Sequence, residues 1–204
     1  MDSARDETGE KILDAALARI LQVGIRRSSL DDIARRAGVN RMTIYRRFSS
    51  KEKLVDAVLV RENQRVLQGV SEIGAAVAGV SAQIEETVLY VIEQTRSHPL
   101  VKQLLEVAPE EILEFYTVRG EVGVGLGIDY IAGALTAAQE RGVIERYDPR
   151  PVAELLARFA HSLLLTPVGG SDFSDARQAR GFVRAAIVPL VLHGISQSAE
   201  DERR

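Results

Sequence analysis

An all-α fold is predicted for this 204-residue chain by three observations. Apolar residues recur at three- and four-residue spacing through most of its length. Capping residues, glycines and prolines mark where those segments start and stop. No segment combines the alternation of a strand with strand-forming residues. With 46% hydrophobic and 27% charged residues, the chain has enough apolar surface for one sizeable core or two modest ones. About nine helices are expected.

Ile12, Leu13, Ala16, Leu17, Ile20 and Leu21 share one face of a first helix over residues 8–24, which Gly24 stops. Ser28 or Ser29 caps a second helix, because each has an acid three residues on, Asp31 or Asp32. Ile33, Ala34 and Ala37 form its buried stripe, and Gly38 ends it. A third helix runs from Arg41 to about Phe48, burying Ile44 and Phe48 and turning Arg41, Met42, Thr43, Tyr45, Arg46 and Arg47 outward. Ser49 or Ser50 then starts a long helix over residues 51–79, weakened by Gly69 and Gly74. Further helices are predicted over residues 81–97, 100–106 and 109–116, with Pro109 suited to a first turn. Pro149 or Pro151 opens a helix to about Thr166, and the last helix covers residues 174–195, with Pro189 kinking it. The charged end, residues 200–204, is expected to fray.

Residues 122–128, Val-Gly-Val-Gly-Leu-Gly-Ile, alternate with period two inside a segment otherwise predicted helical over 121–141. Three glycines inside a helix cost about 2–3 kcal/mol relative to alanine. Close helix–helix contact is the favoured reason for them, and backbone near a ligand the sharper one. Neither phosphate-loop pattern is present there.

Charge is divided unevenly. The net charge of −3 splits into +4 over residues 1–53 and −7 over residues 54–204, and residues 24–53 alone carry nine basic and three acidic side chains. A basic head on an acidic body predicts an N-terminal surface for a polyanion. Within that head, two short helices joined by Ala-Gly-Val-Asn make a helix-turn-helix pattern, in which Gly38 permits the turn and Ile33, Ala37, Val39 and Ile44 fasten the pair. The second helix is then placed to enter a DNA major groove about 12 Å wide.

Residues 8–54 resemble the TetR family of bacterial transcriptional regulators. The resemblance rests on the amphipathic first helix, Ser-Leu-Asp-Asp-Ile-Ala, Ala-Gly-Val, Thr-Ile-Tyr-Arg-Arg-Phe and Ser-Lys-Glu-Lys-Leu. The remaining residues agree in helix number and length. Most of the family carries Tyr-His-Phe or a close relative at 46–48; Arg46 and Arg47 here add charge and keep the buried Phe48. The resemblance implies that Asn40, Arg41, Met42 and Thr43 read the groove, that Ser28 or Ser29, Tyr45 and Lys51 hold phosphates, and that Arg46 serves either role. It also implies a DNA-binding domain over residues 1–50 and a ligand-binding and dimerisation domain over residues 51–204. The last two helices would form the homodimer interface, with Leu155, Leu156, Phe159, Leu163, Phe182, Val183, Ala186, Ile187 and Leu190 supplying suitable apolar stripes.

Tyr90, Phe115, Tyr116, Tyr130, Phe159 and His161 are the candidates for lining a small-molecule site, and their character favours an apolar or amphipathic ligand. Each also suits ordinary core. His98, His161 and His193 lie far apart without a metal-binding pattern, there is no cysteine, and no metal or cofactor is expected. No catalytic signature appears, and the carboxylates at 85, 86, 110, 111 and 114 suit a solvated helix face. The residues behind Met-Asp-Ser-Ala-Arg-Asp-Glu lack a secretory apolar core, and uninterrupted uncharged runs are too short for a bilayer, so a cytoplasmic protein is expected. The leading expectation is a ligand-responsive regulator, usually a repressor by family resemblance, that binds a pseudo-palindromic operator. The alternative is a helical ligand-binding or interaction module without sequence-specific DNA binding, and an enzyme is the weakest reading.

Overall fold

The computed structural model describes residues 2–118 and 120–195, apart from the side chains of residues 2–6, 111, 112, 114 and 115. Among these residues the fold is helical, with no strand. In order come α1 (Asp2–Arg27), α2 (Leu30–Ala37), α3 (Arg41–Phe48), α4 (Lys51–Ala76), α5 (Val80–Ser97), α6 (Pro99–Val107), α7 (Pro109–Tyr116), α8 (Glu121–Glu140) and α9 (Pro149–Leu165). The last stretch is α10 (Ala176–Phe182), a π-helical turn (Val183–Ile187) and α11 (Val188–His193). Helix α1 begins earlier than residue 8, and its regular part ends where expected, because Gly24 leaves helical geometry with φ 81° and ψ 171°. Residues 200–204 lie outside the described residues.

Two compact units form among the described residues: those up to Val66 with those from Ser97 to Gly120, and those from Leu67 to Arg96 with those from Glu121 onward. This division does not coincide with the boundary expected between residues 50 and 51. The first turns of α4 bury Leu54, Val55, Val58 and Leu59 in the N-terminal unit, and the chain later returns α6 and α7 to pack against α1. Ile12, Ala16 and Ile20 of α1, Ile33 of α2, Ile44 of α3, and Leu100 and Leu104 of α6 complete that core. Each of the isoleucine, leucine and valine side chains gains about 1.5–3 kcal/mol from leaving water.

A buried ion cluster, not foreseen from the sequence, also ties this unit together. Arg61 is only 8% exposed, and its Nη1 donates to Glu10 at 2.9 Å and lies 2.9 Å from Asp14. Its neighbour Glu62 accepts from Arg65 at 2.8 Å and stands 3.9 Å from His98 Nε2. His98 caps α6 through Nδ1, which accepts from Leu100 N at 3.3 Å. Burial pushes the His98 pKa down, against the pull of Glu62.

In the second unit, Ile92, Leu135, Val152, Leu163, Val183, Ile187 and Val191 form the core. Phe159 stacks on Phe182 at 5.4 Å between ring centroids, and Phe173 meets both rings edge-on. Pro189 explains the π-helical turn. It has no N–H, and its ring would strike a carbonyl of the preceding turn, so the backbone widens and Val188 N–H bonds to Val183 O instead. Glu85 departs from the solvated face expected for it: it is buried, bonded to Arg180, and accepts from Arg184 Nε at 2.6 Å. These partners, Arg184 first, hold its carboxyl below the usual range against the effect of burial.

Residues 122–128 are helical. The proposed close contact fits only Gly127, where a Cβ would meet Ala157 of α9 at an ordinary 3.6 Å; Gly123 and Gly125 have nothing within 4 Å of a built Cβ. Gly123→Ala and Gly125→Ala are therefore each expected to stabilise the chain by about 0.5–1 kcal/mol, read as a rise in the midpoint of thermal unfolding. Destabilisation by either would mean that something occupies that open face. By length and composition α8 could cross a bilayer, which counting only uninterrupted uncharged runs did not reveal. In the fold it packs along α9, and its Asp129 pairs with Arg150 at 3.1 Å.

Candidate nucleic-acid interface

Local capping chemistry builds the α2–α3 pair. Ser29 caps α2, its Oγ accepting from Asp32 N at 3.1 Å. That hydroxyl is also the main cause holding the Asp32 carboxyl below its usual range, with Arg19 and Arg35 adding to it. At the other end Gly38 adopts φ 67° and ψ 31°, and Val39 N–H bonds to Ala34 O at 3.0 Å while Gly38 N–H bonds to Arg35 O. This paired closure needs a left-handed residue, which glycine supplies without a Cβ penalty. Asn40 then caps α3, its Oδ1 accepting from Met42 N at 2.8 Å.

On α3, Ile44 turns into the core at 1% exposure while Met42 projects at 69%. Arg41, Arg46 and Arg47 are exposed, and Thr43 and Tyr45 half-buried, so the outward face is basic with one apolar tip. The Arg47 guanidinium lies back on α1, so close to Gly9 that a Cβ there would overlap it. Arg41 donates through Nη1 to Asp31 Oδ2 at 2.9 Å and through Nη2 to the Tyr45 hydroxyl at 3.0 Å. Its guanidinium carbon stands 5.4 Å from the Tyr45 ring centroid. The Tyr45 hydrogen bond, then Asp31, raises the Arg41 pKa.

Beyond α3 the chain turns sharply at Ser49, which has φ 62° and ψ −41°, and Ser50 N–H bonds back to Phe48 O at 2.7 Å. A non-glycine residue held at positive φ stores roughly 1–3 kcal/mol of strain, and such strain clusters at functional sites. The turn sets Ser50 to cap α4, Oγ accepting from Lys53 N at 3.2 Å. It also brings Lys51 Nζ to Arg26 O at 2.9 Å, tying the start of α4 to the end of α1.

Of the residues expected at this surface, Asn40, Arg41, Met42, Thr43, Tyr45 and Arg46 are gathered on α3 and its cap. Ser29 stands half-buried at the N-terminus of α2. Ser28 is excluded from phosphate contact, because it is 1% exposed and its hydroxyl donates to Ile25 O at 2.6 Å. Asp31 and the bond from Lys51 to Arg26 were missed. Both join residues ten or more positions apart, where no local spacing gives a signal.

The candidate ligand residues are divided between the two compact units. Tyr116 belongs to the N-terminal unit, where burial pushes its pKa to about 12, while Tyr90, Tyr130, Phe159 and His161 belong to the other. The Phe115 side chain lies outside the described residues. Tyr90 lies over Gly69, Tyr130 donates to Leu67 O at 3.1 Å, and Phe159 sits in the aromatic cluster. Among the expected dimer residues, Leu163, Val183 and Ile187 are buried in their own unit and serve its core instead. Leu155, Leu156, Phe159, Phe182, Ala186 and Leu190 keep exposed or partly exposed surface.

A family model described as bacterial regulatory proteins, tetR family, matches residues 12–58. An uncharacterized HTH-type transcriptional regulator of Mycobacterium bovis is 30% identical over 165 residues, 80% of this chain and 84% of that protein. Among solved structures, a TetR-family transcriptional regulator from Rhodococcus sp. superposes with a TM-score of 0.63 at 24% identity, covering 92% of this chain and 99% of the other. The TetR-family repressor AlkX from a Dietzia strain, implicated in biodegradation of n-alkanes, gives a TM-score of 0.66 at 19% identity over 89% and 93% of the two chains.

Proposed function

Because this chain belongs to the TetR family of helix-turn-helix transcriptional regulators, we propose that it is a homodimeric repressor released from a pseudo-palindromic operator by a small apolar or amphipathic effector. The observation that carries the DNA-binding part is the exposed basic face of α3, presented by a turn that Gly38 closes and a core that Ile44 anchors. Asn40, Arg41, Met42 and Thr43 stand at the leading end of that helix, where a groove-bound helix meets base edges. Tyr45, Arg46, Ser29 and Lys51 surround it as phosphate contacts.

The exposed faces of α9 and of α10 to α11, with Leu155, Phe182, Ala186 and Leu190, are the surfaces we assign to the dimer. Two-fold symmetry then requires half-sites about 34–36 Å apart, or multiples of that spacing. The effector acts by binding more tightly to the dimer geometry in which the two recognition helices miss that spacing. Working on DNA, the protein operates in the cytoplasm of its cell.

Fluorescence anisotropy with a duplex from upstream of its own gene tests this reading in a salt titration. Arg46→Ala is expected to weaken binding to all duplexes alike and to lower the slope of log affinity against log salt by about one. Thr43→Ala is expected to change the preference among duplexes while leaving that slope in place. Absence of binding by the unaltered protein even at low salt would refute the regulator reading.

A further inference from the structure

We infer that Asp31 is a specificity-determining residue: it holds Arg41 away from phosphates and orients the remaining edge of its guanidinium toward a guanine in the major groove. The inference rests on the reading of α3 as a groove-binding helix and deepens it.

The geometry is that of a fork with one prong occupied. Arg41 Nη1 spans both carboxylate oxygens of Asp31, at 2.9 and 3.2 Å, from the first turn of the neighbouring helix. Nη2 gives one proton to the Tyr45 hydroxyl at 3.0 Å. An arginine has five N–H donors in a fixed plane, so the second Nη2 proton and the Nε proton remain to meet the O6 and N7 acceptors of guanine. Side-chain entropy is already removed on two sides, by the carboxylate and by the Tyr45 ring.

The charge balance favours bases over phosphates. Paired with Asp31, Arg41 presents no net charge, so it gains little from a phosphate and brings a carboxylate toward the phosphate's own negative charge. A guanine edge is neutral and lets Asp31 stay in place. The other acid in the first turn of α2, Asp32, is held instead by Arg19 at 3.1 Å and by Arg35. Asp31 is thus the carboxylate committed to the recognition helix.

The test uses the full-length protein and two probes: a duplex recovered by binding-site selection from random 30-mers, and the unselected pool. Asp31→Asn is expected to tighten binding to the pool several-fold and to steepen its salt slope by about 0.9, the contribution of one freed cation. The preference for selected over unselected duplex should fall about tenfold, with the loss concentrated at one G·C pair. Asp31→Glu should restore part of that preference. In an Arg41→Ala background, Asp31→Asn should leave the preference unchanged, because no guanidinium remains for the carboxylate to orient. The same gain on both probes in both backgrounds would make Asp31 a general repulsive charge and overturn the inference, as would an unchanged preference in Asp31→Asn. Failure of the unaltered protein to bind either probe would instead overturn the DNA-binding reading. Thermal unfolding of each variant shows whether α2 is intact, and Asp31→Ala, which lacks any acceptor, must behave as Asp31→Asn does.

Discussion

Ile44→Ala is expected to cost the N-terminal unit about 3 kcal/mol and to abolish sequence-specific DNA retention. Ile44 is 1% exposed and is the residue of α3 that is buried outright. Truncating such a side chain loses its transfer free energy and leaves a cavity, together about 2–5 kcal/mol. For a unit of this size, 3 kcal/mol corresponds to a fall of about 15 °C in the thermal midpoint. With its anchor gone, α3 loses the orientation on which the groove contacts proposed for Arg41 and Thr43 depend. The chain has no tryptophan, so circular dichroism at 222 nm is the suitable readout, with anisotropy on a selected duplex beside it. Ile44→Val should lose only about 1 kcal/mol and keep specific binding. A loss below 1 kcal/mol in Ile44→Ala would show that α3 is not seated through this residue.

Arg61→Ala is expected to be comparably damaging, by about 2–4 kcal/mol, through lost charge-assisted hydrogen bonds and lost packing. Arg61 and Glu62 are both buried, and Arg61 bridges α4 to Glu10 and Asp14 on α1. Removing Arg61 loses charge-assisted bonds to Glu10 and Asp14, opens a cavity where its buried side chain packed, and leaves the buried Glu62 with Arg65 as its remaining close partner. Arg61→Leu, which fills the space, and Arg61→Ala combined with Glu62→Gln, which removes a buried carboxylate that has lost one cationic neighbour, should each recover part of the loss. Denaturant unfolding measures all three. An Arg61→Ala midpoint equal to that of the unaltered protein would mean that the cluster contributes nothing net.

What the sequence revealed of the site was its local chemistry. Gly38 as the turn, Ser28 or Ser29 as the cap of α2, and Ile33 and Ile44 as anchors depend on partners within a few residues, so spacing alone identifies them, whereas the cap that Asn40 gives α3 emerged in the structure. Ser28 and Ser29 could not be separated, because both have an acid three residues on. The backbone chose Ser29, and Ser28 turned its hydroxyl to Ile25 O instead. The stripe on the last helix was likewise visible, but which of its residues face the chain's own core was not: Val183 and Ile187 face it, and Ala186 faces outward. Pro189 announced an irregularity, and the backbone met it with a π-helical turn rather than a simple kink.

The sequence by itself determined an all-helical chain, a helix-turn-helix with a basic outward face, and the residues on that face. These follow from helical periodicity, capping and charge density, each of which acts over a single turn or along a single helix. Only the tertiary structure decided that Asp31 holds Arg41, that Lys51 ties down the end of α1, and that Arg61 is buried among carboxylates from α1. Those pairings span 10, 25 and about 50 residues of chain. Contacts at such separations are set by the angle at which packed helices cross, and that angle is a property of the assembled core rather than of any segment within it.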